Sequence, residues 1–307
     1  MLSQVIEIHD LLDDGKVTGS RVEGFFQNRG SKNVRVRKVK GEKGFTEFIR
    51  IVISGRTGKL SSGKSPTLGI IGRLGGIGSR PERVGLVSDG DGAIAALSIA
   101  LKLIDMQKRS DFLEGDVIVT THICPNSPIV QHEPVPFMGS PVDMDTMNEN
   151  EVDGSCDAIL SLDTTKGNRI INFRGFAISP TIKDGWILPP SQDLVRIMEI
   201  TTGQLARVLP VATQDITPYK NGLRHINSIL QPSTATGAPV VGVAISTETA
   251  VPGSATGASH ETDIEEVSRF CIEVAKEFGK GSLKFYDEKE FKQLTDKYGN
   301  MKHLQEA

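Results

Sequence analysis

Apolar residues recur at helical spacing over the first segment of the chain. Val5, Ile8, Leu11 and Leu12 form one stripe there, which predicts an amphipathic helix. A second short helix is predicted over 18–27. The period then changes: Val34 and Val36 alternate with Arg35 and Arg37, which predicts a strand with one wet face. FTEFIRIVIS (45–54) is a longer run rich in β-branched residues, and LGIIG (68–72) is short and continuously apolar, as in a buried strand. Helical spacing returns over 92–108, with Ala93, Leu97, Ala100, Leu101 and Ile104 on the buried face.

Short apolar runs and helical patterns alternate from there on. VIVTT (117–121), AILSLD (158–163), NFRGFAIS (172–179) and PVVGVAIS (239–246) read as strands. Leu194, Met198 and Leu205 line a helix over about 191–207. The last long helix carries Ile264, Val267, Cys271, Val274 and Phe278, and Thr262 with Glu265 forms a capping-box start for it. This alternation predicts one α/β domain over 1–307, with a mixed, largely parallel central sheet between layers of helix. The segment 124–156, rich in Pro, Met and acids, reads as a long loop with a functional, lid or oligomer-contact role. The tail over about 285–307 reads as a peripheral helix.

Composition changes this picture little. The hydrophobic fraction is 38 %, the charged fraction 24 % and the formal net charge -3, ordinary values that favour neither nucleic acid nor acidic lipid as a partner. The basic residues from Arg35 to Lys43 fit a nucleic-acid stripe or a charged edge strand that resists aggregation, and the second reading is preferred. No apolar run approaches the roughly 18 residues of a membrane helix, and the acidic N-terminal segment does not have the pattern of a signal peptide. Three widely spaced cysteines argue for a reducing cytoplasm rather than a disulfide framework.

Two glycine-rich stretches invite a nucleotide reading. GKLSSGKS (58–65) matches the phosphate-loop pattern G-x-x-x-x-G-K-[ST]. A phosphate loop needs a helix N-terminus after it, whereas Pro66 and the apolar LGIIG follow here. It is therefore expected to be a polar turn between adjacent strands. GRLGGIG (72–78) lacks the dinucleotide spacing, and no nucleotide is expected.

One stretch is more specific. In VGLVSDGDGAIAALSIALKLIDMQKRSDFLEGDVIVTT (84–121), Asp89 stands just before a small-residue helix that opens on 93–97, and a G-D-V strand follows. This order resembles the co-catalytic zinc aminopeptidases and carboxypeptidases. SGRTGKLSSGKSPTLGIIGRLGG (54–76), DAILSLDTTKG (157–167) and GAPVVGVAIS…GASHETDIEEV (237–267) are similar to further elements of that clan, so the likeness spans most of 1–280. The chain is also identified as a member of a bacterial family, the domain of unknown function 1177.

The resemblance implies a three-layer, phosphorylase/hydrolase-like fold without the dimerisation domain that some members of the clan insert. It also implies that Asp89 bridges two metal ions while Asp163 and His260 each hold one. The sequence departs from that pattern. Arg73 stands where the clan's first ligand His belongs, Gly75 where its paired Asp belongs, and HICPNS (122–127) replaces a pair of glutamates that includes the general base.

An altered site follows from these departures. One divalent metal, zinc or manganese, is expected on Asp89, Asp163 and His260, with His122 as a replacement ligand. Cys124, His132 and Glu133 are further candidates. Each has an ordinary reading too: Asp89 as a helix cap, Asp163 as a turn cap, His260 as a hydrogen-bonding residue and His122 as a core histidine. Arg73, with Asn126, fits a clamp for a carboxylate or phosphate. The expected function is that of a divergent hydrolase acting on a peptide, amide or N-acyl small molecule. The alternative is a non-catalytic or regulatory protein that binds a small anion or amino acid. A homo-oligomer is expected in either case.

Overall fold

The computed structural model describes residues 1–73, 77, 85–125, 127–224 and 228–306. The chain opens on α1 (Leu2–Leu12), α2 (Gly19–Asn28) and the hairpin β1 (Val34–Gly41) and β2 (Gly44–Ile53), followed by β3 (Leu68–Gly72), α3 (Asp91–Lys108) and β4 (Val117–Ile123). A small hairpin, β5 (Ile129–Val130) and β6 (Phe137–Met138), leads to α4 (Met144–Glu151) and β7 (Ala158–Thr165). Next come β8 (Gly175–Ile178), β9 (Thr181–Lys183), β10 (Trp186–Leu188) and α5 (Gln192–Thr202). The chain ends with β11 (Val240–Ser246), α6 (Glu261–Gly279) and α7 (Glu288–Tyr298).

The main sheet runs β1-β2-β4-β3-β7-β11-β9-β10, with β8 also paired to β11. Its centre, β4-β3-β7-β11, is parallel, and β2, β8 and β9 join it antiparallel. This is the mixed, largely parallel sheet that the alternating pattern predicts. The continuous apolar runs follow from burial on both faces. Leu68 and Ile70 of β3 join the main core with α1, α3 and α6, while Ile71 faces a second cluster with Ile118 and Ile159. Residues one apart on a strand point to opposite faces, so both parities must be apolar. No helix among the described residues is long and apolar enough to cross a membrane.

Several expectations shift. The helix over 191–207 stops at Thr202, where Gly203 at φ +70° takes the left-handed cap, and Leu205 is exposed. The segment 124–156 is not one loop, since it carries β5, β6 and the short helix α4. Thr262 does not cap α6. His260 is the N-cap residue without a side-chain bond, and the Thr262 hydroxyl instead accepts from Arg174 Nη2 at 2.9 Å.

GKLSSGKS is a turn with a single 3-10 turn inside it, over Lys59–Ser61, but the strands it joins are not adjacent: β4 lies between β2 and β3. Its anion is internal. The buried Asp116 carboxylate accepts from the backbone N–H of Gly55 (2.8 Å) and of Leu60 (2.9 Å). A Cβ at Gly58 would stand 2.1 Å from Asp116 Oδ1, so glycine is required by this contact.

Candidate functional site

The parallel strands end on one side of the sheet, where α/β folds gather their ligands. Arg73 follows β3, His122 is the penultimate residue of β4, and Asp163 lies near the end of β7, with Lys166 just beyond it. Asp89 comes from the 3-10 turn Ser88–Gly90 that leads into α3.

Asp89 does not cap that helix. Its Oδ2 accepts the Met138 backbone N–H at 2.8 Å, and its own N–H donates to the Gly253 carbonyl at 3.1 Å. Gly253 permits the approach: a Cβ there would lie 2.0 Å from Asp89 Oδ2. Burial pushes the Asp89 carboxyl up to about 7. The Met138 N–H opposes the rise and the charge of Asp163 adds to it. Asp163 accepts from Ser228 Oγ at 2.7 Å and from the Thr164 N–H at 2.7 Å. Its carboxyl is also raised, by burial first, with the Ser228 hydroxyl and then Arg73 pulling the other way.

Asp89 and Asp163 both open onto a cleft of about 710 Å³. Lys166, Ser228, His132, Asp143, Asn168 and Lys220 belong to its polar part, and Phe137, Met138, Met144 and Met147 line an apolar wall supplied by the 124–156 segment. Tyr219, Leu223 and Val251 contribute further to the lining.

Arg73 and His122 are not bonded to this pair but to a residue that sequence reading passes over. Arg73 is fully buried and its Nη1 pairs with Glu151 Oε2, while His122 Nδ1 lies 2.5 Å from Glu151 Oε1. Burial alone would push the Glu151 carboxyl up, but Arg73 and then His122 outweigh it and hold it below the usual range. Burial opposes charge on His122 as well. Glu151, aided by the Cys124 thiol, outweighs it and lifts the imidazole to about 9. The clamp expected of Arg73 is thus closed on the chain's own carboxylate. Its proposed partner Asn126, and Gly75, lie outside the described residues.

His260 sits elsewhere, at the start of α6. Burial raises the Asp91 carboxyl, against Lys166, the Ser259 hydroxyl and, last, the nearby His260; His260 is not bonded to Asp89, Asp163 or His122. Among the described residues no three His, Cys, Asp or Glu side chains gather to hold a metal ion. The expected set of Asp89, Asp163, His260 and His122 is therefore not assembled. Among the described residues the donor set does not fit a metal, because His122 is bonded to Glu151 and no His joins Asp89 and Asp163.

The family model described as "Protein of unknown function (DUF1177)" matches residues 37–307. The chain belongs to this family. No curated protein sequence matches it. In fold, the family member described here is similar to the cytosol aminopeptidase of Coxiella burnetii. Identity is 13 % and the TM-score 0.52, over 92 % of this chain and 69 % of that one. It is also similar to the bottromycin maturation enzyme BotP, solved in complex with Mn. Identity there is 15 % and the TM-score 0.51, over 87 % and 70 % of the two chains. At such identities the likeness shows a peptidase-type fold and no more. Sequence reading also passed over Lys166, three positions after Asp163, and Ser228, which lies 65 positions from the carboxylate it bonds.

Proposed function

We propose that the cleft is the hydrolytic site of a divergent peptidase-fold protein that acts on a peptide, amide or N-acyl small molecule. Asp89 and Asp163 work as its acid and base. The observation that carries this reading is the pairing of two buried carboxylates at one cleft, with Asp89 held near 7. Two carboxylates that feel each other's charge in a desolvated site tend to share one proton, which leaves one acid and one base at neutral pH. The ionised member takes a proton from water as its oxygen adds to the amide carbonyl. The protonated member gives its proton to the leaving nitrogen as the C–N bond breaks, and a carboxylic acid and an amine result. The apolar wall and the free buried cysteines support a small, partly apolar substrate and a reducing compartment.

The test is a panel of peptides, amino-acid amides and N-acyl amino acids, followed by mass spectrometry. Turnover by the wild type is expected, falling by about 10²–10⁴ in Asp89→Asn and in Asp163→Asn. Turnover that survives both substitutions would overturn this assignment. Saturable binding with no turnover of any panel member would favour the alternative, a binding protein on the same fold. In that alternative the anion would be held in the cleft and not by Arg73, which is paired with Glu151.

A further inference from the structure

Lys166 is placed unusually for a lysine. It stands one residue past β7, its side chain is only 7 % exposed, and it lines the cleft beside Asp163. Among the described residues its ammonium has one hydrogen-bond partner, Asp91 Oδ2 at 2.9 Å. An ammonium carries three N–H donors, and a desolvated donor without an acceptor costs free energy. The remaining donors have the cleft beside them.

The anchor is well made. Asp91 lies in the first turn of α3, where the helix dipole favours an anion, and its other oxygen accepts from the Ser259 hydroxyl. Asp91 is thus gripped from two sides and holds the Lys166 stem in place. Asp91 bonds this ammonium, and Asp89 lies close enough for the lysine's charge to oppose, in part, the rise that burial causes in its carboxyl. The cleft's other lysine, Lys220, is exposed and bonded to Asp143, so a carboxylate brought to the buried end of the cleft would meet Lys166 as the desolvated positive charge with spare donors.

We infer that Lys166 is a specificity-determining residue of the cleft and reads a carboxylate of the ligand, while the amide of that ligand lies at Asp89 and Asp163. The class that fits is an amide with a nearby free carboxylate and an apolar side chain, as in an N-acyl amino acid. This rests on the reading of the cleft given above.

Calorimetric binding of a matched pair of probes tests it: N-acetylmethionine and its neutral N-methylamide, with Asp89→Asn protein used to block turnover. The carboxylate form is expected to bind about tenfold or more tighter, as a charge-assisted bond in a dry site implies. In Lys166→Met that preference should fall below about twofold, with methylamide affinity kept within about threefold, and Lys166→Arg should retain part of the preference. If the single variant folds poorly because Asp91 is left unpaired, the double variant Asp91→Asn/Lys166→Met removes both charges and should show the same loss.

Equal binding of the two probes overturns the role of Lys166 and leaves the reading of the acid pair standing. So does a preference that survives the loss of the lysine. Binding of neither probe overturns both.

Discussion

Glu151 Oε1 lies 2.5 Å from His122 Nδ1, so the last residue of α4 is bonded to the end of β4. The same carboxylate pairs with Arg73 beyond β3. One acid therefore ties the wall of the cleft to two central strands of the sheet.

Glu151→Gln is expected to destabilise the protein by about 3–5 kcal/mol, because it leaves two buried cations without their counter-charge. A pH signature goes with it. The folded-state pKa of His122 is raised from 6.5 to about 9, so its contribution is complete below about 6.5 and is lost as pH rises through about 9. Denaturant melts between pH 6 and 10 should show this decline in the wild type and little of it in the variant. Equal slopes in both proteins would mean that the pair carries no charge.

Asp89 shifts stability in the same direction as His122 but in a lower pH window. Its pKa is raised from 3.8 to about 7, so between those values the folded protein keeps a proton that the unfolded chain has released. Stability should fall as pH rises through that window, by up to about 4 kcal/mol, and flatten above it. Asp89→Asn removes the penalty, and its advantage over the wild type should grow from pH 4 to pH 7. Parallel stability curves would contradict a carboxyl held near neutrality.

Gly253→Ala tests the seat of Asp89. A Cβ at this position would lie 2.0 Å from Asp89 Oδ2, so the carboxylate or the 247–260 loop has to move. A loss of about 1–3 kcal/mol is expected, with a fall in ligand response at the cleft. A variant that melts and binds as the wild type does would show that the seat is not needed.

Asp116→Ala should cost about 2–4 kcal/mol, since two backbone N–H groups lose their shared acceptor. Asp116→Asn, which keeps one acceptor oxygen, should cost less. Magnesium and ATP should leave the melting temperature of the wild type unchanged, because the loop is already filled. A clear shift with nucleotide would reverse that reading.

The sheet was legible because its strands advertise themselves. LGIIG, VIVTT, AILSLD and PVVGVAIS are apolar on both parities, and the parallel centre buries both faces. The placement of Asp89 and Asp163 on one cleft follows from the same order of elements. Glu151 was not legible, since its partners lie 78 and 29 positions away and its helix, MDTMNENE, is mostly polar. Periodicity reports what a helix packs against only when its face is apolar, and α4 is anchored in part through charge. Lys166 was missed for a related reason. Its meaning comes from Asp91, 75 positions earlier, which in sequence looks like an ordinary first-turn acid.

The loop around Asp116 has a consequence for the order in which the chain acquires its structure. Its acceptor stands 61 positions after Gly55 and 56 after Leu60, at the entrance to β4. During synthesis the β1–β2 hairpin and the glycine loop leave the ribosome well before that residue, so the loop has nothing to close on and β2 has an open edge. Both are completed by β4, which lies between β2 and β3 and carries the carboxylate at its entrance. The loop's final form therefore depends on β4 being in its place between β2 and β3, which couples a local turn to the completion of the N-terminal half of the sheet.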